Sequence, residues 1–132
     1  MTDEAGVHRI VEDLMGAWNL HDARTFAALF APDADFTNVV GMFVHGREEI
    51  ERFHAPLFAS RFVQSHQSAE DVRIRWLAPE LASVDVRWAM TGARDDRGQE
   101  RPVRHGVLHI VASKRSGKWE IDVVHNTEVP VH

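Results

Sequence analysis

Five polar side chains lie within segments that are otherwise apolar or strand-forming, and their chemistry limits the possible functions. They are Asp35, Asn38, His54, His125 and Asn126. A carboxylate that is removed from water has a raised pKa and can exchange a proton near neutral pH. An imidazole can move a proton or orient a polar ligand atom. An amide can hold a carbonyl oxygen. One interpretation of these residue types is acid–base chemistry beside a polarised oxygen.

Each of these side chains also has a purely structural interpretation. Asp35 could hydrogen-bond a neighbouring backbone turn, and Asn38 could cap one. His54 lies one helical turn from Ile50 and from Phe58, so it could be a satisfied core residue on an apolar helix face. Asp35 and Asn38 have opposite strand parity, so both can face one interior only if the strand contains a bulge.

The last predicted strand offers a choice between two neighbouring residues. Regular alternation groups His125 with Trp119, Ile121 and Val123, and places Asn126 on the other face. Only one of the pair can therefore face a pocket, and the other braces a loop or an interface. Four rings that belong mainly to the core are also expected to line such a pocket. These are Trp18, Phe36, Phe58 and Trp88.

Several other chemistries lack their residues. Without cysteine, the chain has no thiolate nucleophile and no Cys-ligated zinc. We find no nucleophile elbow, phosphate loop or dinucleotide fingerprint, and expect no cofactor. Among nine histidines, His105 and His109 share a strand face. At the usual rise per residue of a β-strand they are about 13 Å apart, which is too far for both to ligate one metal ion. His54, His66 and His125 could still converge in space, but we expect no metal.

Length and charge narrow the class of protein. A chain of 132 residues can bury one core, so we expect a single domain over residues 1–132. The chain has 15 Lys and Arg residues and 20 Asp and Glu residues. The basic residues are scattered and form no basic stripe that could bind nucleic acid. The acidic start is unlike a signal peptide, and no apolar run approaches the roughly 20 residues that span a bilayer. We expect a cytoplasmic protein that binds neither nucleic acid nor membrane.

Two helices are predicted at the start of the chain. An apolar stripe at helical spacing runs from Val7 to Trp18, and Thr2 is placed to cap this helix. Asp22 is the N-cap of a second, short helix, which Pro32 should end. The stripe places Trp18 at the end of the first helix, facing the core.

The remaining elements are one more helix and a series of strands. Residues 35–40 suit a strand, and a third helix begins at Gly46 with Pro56 kinking or ending it. Alternation then predicts strands over 72–76, 84–90, 103–112 and 119–126. Three helices and a run of hairpin strands predict an α+β fold, with the helices packed on a curved mixed or antiparallel sheet.

Specific sequence motifs in this order of elements resemble the nuclear transport factor 2-like, or cystatin-like, superfamily. The motifs are Trp18 ending the first helix, LFAPDADF at 29–36, HG at 45–46 and GKWEIDVVHNT at 117–127. Within that superfamily the chain is most similar to the SnoaL-like branch, and specifically to the SgcJ/EcaC group found beside polyketide pathways. The residues behind that finer likeness are Asn38, His54 and HNT at 125–127.

The resemblance implies a cone of helices and bent sheet that encloses a pocket. It further implies a cofactor-independent cyclase, isomerase or dehydratase acting on an apolar, carbonyl-bearing, polyketide-like substrate. Asp35 or His54 would move the proton, while Asn38 and either His125 or Asn126 would hold the oxygen. The alternative is a non-catalytic ligand-binding or accessory module of a biosynthetic pathway. The sheet face that three helices cannot cover predicts a homodimer.

Overall fold

A computed structural model of the chain describes residues 2–130. Along the chain its elements are α1 (Glu4–Leu20), α2 (Ala23–Ala27), β1 (Phe30–Thr37), β2 (Phe43–His45), α3 (Arg47–Phe58), β3 (His66–Ala78), β4 (Leu81–Thr91), β5 (Arg104–Arg115) and β6 (Lys118–Val129). This arrangement confirms the predicted α+β class. No helix within the described residues is long and apolar enough to cross a bilayer.

Helix α1 buries the predicted apolar stripe. Its buried residues are Val7, Ile10, Val11, Leu14, Met15, Ala17 and Trp18. The N-cap is Asp3 and not Thr2, because Asp3 directly precedes the helix and its carboxylate accepts from the Gly6 backbone N–H at 3.0 Å. Asp22 caps α2, as predicted.

Two boundaries near β1 differ from the sequence prediction. The strand begins at Phe30 and includes Pro32, which was expected to end the preceding helix. Proline is tolerated there because the ladder to β6 is irregular between Phe30 and Asp35. The strand ends at Thr37 and does not reach residue 40, because Asn38 starts a turn. Downstream, α3 ends two residues after Pro56, at Phe58.

The six strands form one mixed sheet in the order β2-β1-β6-β5-β4-β3. β1 runs parallel to β6, and every other pair is antiparallel. The three helices cover one face, here called the inner face, and the opposite one is the outer face. Alternate residues of β4 are buried on the inner face: Ala82, Val84, Val86, Trp88 and Met90. The core therefore lies between the helices and this face.

A bulge in β6 determines which side chains reach the inner face. The pairing with β5 skips Asp122, which is the extra residue of the bulge. Beyond it, Asn126 lies on the inner side together with Trp119 and Ile121, and His125 is exposed on the outer side. The predicted grouping of His125 with Trp119 and Ile121 is wrong, because one inserted residue exchanges the two faces for all residues that follow.

Candidate functional site

Helix α3 directs His54 into the interior, where the residue is 2% exposed. Its Nδ1 lies 2.7 Å from the Ile50 carbonyl oxygen. A carbonyl oxygen can only accept, so Nδ1 carries the proton of the neutral ring and Nε2 holds a lone pair. Burial lowers the pKa of His54 to about 4. The imidazole is therefore neutral at physiological pH.

Five aromatic rings surround His54, and we call them the aromatic cage. They are Trp18, Phe26, Phe36, Phe53 and Phe58, with centroids 4.6 to 6.3 Å from that of His54. Trp18, Phe36 and Phe53 meet the imidazole edge-to-face. Four of the rings are buried, and Phe53 is half-buried. Phe53 is consequently the cage wall that can move with the least loss of core packing.

The second ring nitrogen of His54 has no hydrogen-bond partner among residues 2–130, and no carboxylate there pairs with the imidazole. The buried side-chain atom that lacks a partner among the described residues is Ser113 Oγ and not Nε2 of His54. Nε2 is therefore not fully sealed from solvent, and a water molecule or a ligand could pair with it.

The indole of Trp18 is held in a fixed orientation. Its Nε1 donates to the Ser65 hydroxyl at 3.0 Å, and that hydroxyl donates to the Phe62 carbonyl at 2.8 Å. His21, which follows α1, binds the Ser65 carbonyl through Nε2 at 2.7 Å. These bonds tie the end of α1 to the start of β3. They make Trp18 a rigid wall of the cage.

Buried Trp88 and half-buried Asn126 form a hydrogen-bonded pair on the inner face. The Trp88 indole N–H donates to Asn126 Oδ1 at 2.8 Å. Trp88 is 1% exposed, and its ring covers Gly106 on the neighbouring strand. Of the three side chains expected to hold a polarised oxygen, Asn126 is the one that lies on the side of the helices.

The structure does not bring Asp35 and His54 together. Phe36 takes the inward position of β1, so Asp35 faces outward with its side chain 63% exposed. Its carboxylate lies 2.7 Å from Nδ1 of His45, which is its partner in the β1–β2 ladder. This hydrogen bond raises the pKa of His45. The expected desolvation of the Asp35 carboxylate is thus absent.

Asp35 and His45 line an outer-face pocket of 390 Å³, together with Phe43, Glu49 and His125 among others. Phe43 is 85% exposed there. Phe36 lines this pocket and also contacts His54 as part of the aromatic cage. Sequence reasoning did not identify His45 as a partner of Asp35.

Asn38 lies in the turn after β1. Its Oδ1 accepts from the backbone N–H groups of Val40 at 3.1 Å and Met42 at 2.9 Å. This is the structural alternative, a turn cap, and no bulge directs Asn38 and Asp35 to one interior. Within residues 2–130, no group of three or more histidine or carboxylate side chains is arranged to hold a metal ion.

A profile of the SnoaL-like domain matches residues 11–120. No curated protein matches the chain. A protein of unknown function with a cystatin-like fold from Caulobacter vibrioides is 28% identical, with a TM-score of 0.87 over 96% of this chain and 89% of that chain.

Two more distant structures share the fold. A candidate scytalone dehydratase from Novosphingobium aromaticivorans has a TM-score of 0.78 and 16% identity, over 97% of this chain and 88% of that chain. LinA has a TM-score of 0.84 and 13% identity, over 96% of this chain and 85% of that chain. At such identities the likeness establishes the architecture only.

Proposed function

This chain belongs to the SnoaL-like domain family, and from that premise we propose that its interior carries out cofactor-independent acid–base chemistry on a small apolar molecule. The substrate bears a carbonyl group, as polyketide-like molecules do, and the reaction is an isomerisation, a cyclisation or a dehydration. One observation carries the proposal: the neutral, buried His54 imidazole, whose Nε2 has no partner among residues 2–130. The candidate scytalone dehydratase among its structural neighbours is in keeping with that reaction class. Asn38, His54 and residues 125–127 support placement in the SgcJ/EcaC group.

In the proposed reaction Nε2 of His54 takes a proton from the carbon next to the substrate carbonyl. Burial disfavours the imidazolium that forms, so the base is effective only when a developing enolate oxygen lies close enough to balance its charge. The same ring then returns the proton to another atom of the substrate. The Asn126 amide is the inner-face group available to that oxygen. Asp35 and His125 lie on the outer face, which argues against a shared site with His54.

The second candidate is a non-catalytic ligand-binding module. It is favoured by a specific observation, since no carboxylate among the described residues pairs with His54. An imidazolium in the cage would lack a protein counter-charge. An apolar ligand could then be held with no proton transfer at all.

Proton exchange at a probe ketone distinguishes these candidates. With 2-tetralone in D₂O, we expect the protein to accelerate loss of the α-proton NMR signals. His54→Phe keeps a ring of similar size but removes the base, and should slow the catalysed exchange about 100-fold or more. The matched control is His8→Asn on the surface of α1. Binding without accelerated exchange would select the binding module, and full exchange by His54→Phe would refute His54 as the base.

We also propose that the protein pairs with a second copy of itself through the outer face of β4 and β5. Val107 and Val111 of β5 are half-buried there, and so is Val123 of the neighbouring strand β6. Light scattering at micromolar concentration should give twice the mass of one chain, and Val107→Asp should give the mass of one. Leu20→Asp, at an exposed site on α1, should leave the dimer intact. A monodisperse wild-type monomer would exclude this interface.

A further inference from the structure

Two histidines lie side by side at the centre of the outer face, on the neighbouring strands β5 and β6. His109 and His125 are direct partners in the antiparallel pairing of these strands. We propose that they form a binding site for a divalent transition metal ion, with Asp85 on β4 orienting the His109 ring. This inference concerns the outer face alone and does not depend on the chemistry proposed for the interior.

The pairing across strands sets these two histidines close together. Directly opposite residues of an antiparallel pair have Cβ atoms about 4.5–5.5 Å apart. Both side chains are exposed on the same face, because the bulge at Asp122 turns His125 outward. Nitrogen ligands bind such an ion at about 2 Å, so two nitrogens that share it lie roughly 3 Å apart. Imidazoles on opposite Cβ atoms can therefore converge on one ion.

The His109 ring is already held by the kind of contact that orients metal ligands. Its Nδ1 lies 2.7 Å from Oδ1 of Asp85, which is its direct partner on β4. An ionised carboxylate can only accept, so Nδ1 of the neutral ring carries the proton and Nε2 holds a lone pair. Metal-binding histidines almost always donate their second ring N–H to a carboxylate, a carbonyl or water in this way. Asp85 is therefore a positioning residue, and Nε2 of His109 binds the ion.

The donor set determines the class of ion. Imidazole nitrogen suits zinc, nickel and copper ions, whereas magnesium and calcium ions take oxygen ligands. The site has two protein ligands, because residues 2–130 contain no group of three or more side chains arranged around an ion. Water fills the remaining positions. We therefore expect an exchangeable transition metal ion and not a permanently bound one.

The position of the pair also bears on the dimer proposed above. On the outer face of β5, His109 lies between Val107 and Val111. In a symmetric dimer whose axis passes through the centre of this face, each central residue meets its own copy. Such a dimer brings four imidazoles together, two from each subunit, and four nitrogen ligands match the tetrahedral shell of zinc. We expect one ion per two chains in the dimer and one per chain in a monomer.

Nickel titration of the protein without a histidine tag tests the site. Isothermal titration calorimetry at pH 7.5 should show binding of Ni²⁺ and no binding of Mg²⁺ at the same concentrations. His109→Asn and His125→Asn should each weaken Ni²⁺ binding about tenfold or more, because one imidazole remains. Asp85→Ala should weaken it about tenfold through the lost orientation of His109. Asp85→Asn, whose amide oxygen still accepts from Nδ1, should restore most of the affinity.

The matched control is His105→Asn on the same face of β5. His105 also has a carboxylate beside it, since its Nδ1 lies 3.5 Å from Oε1 of Glu70. Its partner on β6 is Val129 and not a second histidine. The control should therefore bind Ni²⁺ with the wild-type affinity. As a second measurement, a trace of paramagnetic Cu²⁺ should broaden the amide NMR signals of His109 and His125 before all others.

Several results would overturn the proposal. They are no Ni²⁺ binding by the wild-type protein, Mg²⁺ binding as tight as that of Ni²⁺, and wild-type affinity in either His109→Asn or His125→Asn. A loss of affinity in His105→Asn as large as in those two variants, or broadening by Cu²⁺ centred elsewhere, would do so as well. None of these results bears on proton exchange at 2-tetralone, which depends on His54 inside the protein.

Discussion

Acidification from pH 7 to pH 4 is expected to lower the free energy of unfolding by about 3 kcal/mol through His54 alone. The pKa of this residue falls from 6.5 to about 4 because burial penalises the imidazolium. Between these values the unfolded chain binds a proton that the folded protein does not. Above pH 6.5 the neutral His54 costs the folded protein nothing. As the pH falls from 6.5 towards 4, protonation of the unfolded chain progressively lowers the free energy of unfolding.

Urea denaturation of the wild-type protein and of His54→Phe at both pH values measures this contribution. Glu128, Asp3 and Asp22 also have lowered pKa values, and they weaken the fold in acid in both proteins. The raised pKa of His45 acts in the opposite direction in both. The difference between the two proteins isolates His54. Identical losses of stability on acidification would show that His54 is not desolvated.

The substitution Gly106→Ala should destabilise the protein by about 3 kcal/mol. An added Cβ would lie 2.2 Å from Cζ2 of Trp88 and 2.5 Å from the Thr127 carbonyl oxygen. Neither neighbour can yield easily, because Trp88 is bonded to Asn126 and the carbonyl belongs to β6. Adding one methyl group therefore forces the inner layer apart.

The matched control is Gly16→Ala on the exposed side of α1, where an added Cβ meets nothing within 4 Å. There the same change should stabilise the protein by about 1 kcal/mol, because alanine is the better helix former. Thermal unfolding of the two variants beside the wild type measures both effects. If Gly106→Ala unfolds at the wild-type temperature, the Trp88 ring does not cover Gly106.

Local sequence signals predicted most of the fold. The stripe from Val7 to Trp18 and the alternation along β4 depend only on neighbouring residues, so both elements could be identified. The bulge at Asp122 depends on how β6 pairs with β5, which is a long-range property. The adjacent apolar residues Val123 and Val124 were the local sign that the alternation breaks there.

The candidate site was predictable only in part. His54 was identified from its helix face, but the rings around it come from α1, α2, β1 and α3, whose meeting depends on tertiary packing. The pairing of Asp35 with His45 follows from the β1–β2 hairpin, which is symmetric about Val40. A turn that begins at Asn38 indicates this hairpin. The predicted strand over residues 35–40 included the turn and so did not show the pairing.

The parallel pairing of β1 with β6 has a consequence for biosynthesis. Among the described strands, β6 is the one that joins the early β1–β2 hairpin to the rest of the sheet, so Phe30 cannot pair until Ile121 has been synthesised. The ribosome synthesises β1 long before β6, and contacts between residues that are far apart in the sequence form slowly because a long loop must close. Until then, the hairpin and its exposed Phe43 lack their place in the sheet. A nascent chain that stalls before β6 therefore exposes the unpaired edge of β1. Such an edge can bind chaperones or pair with other chains and aggregate.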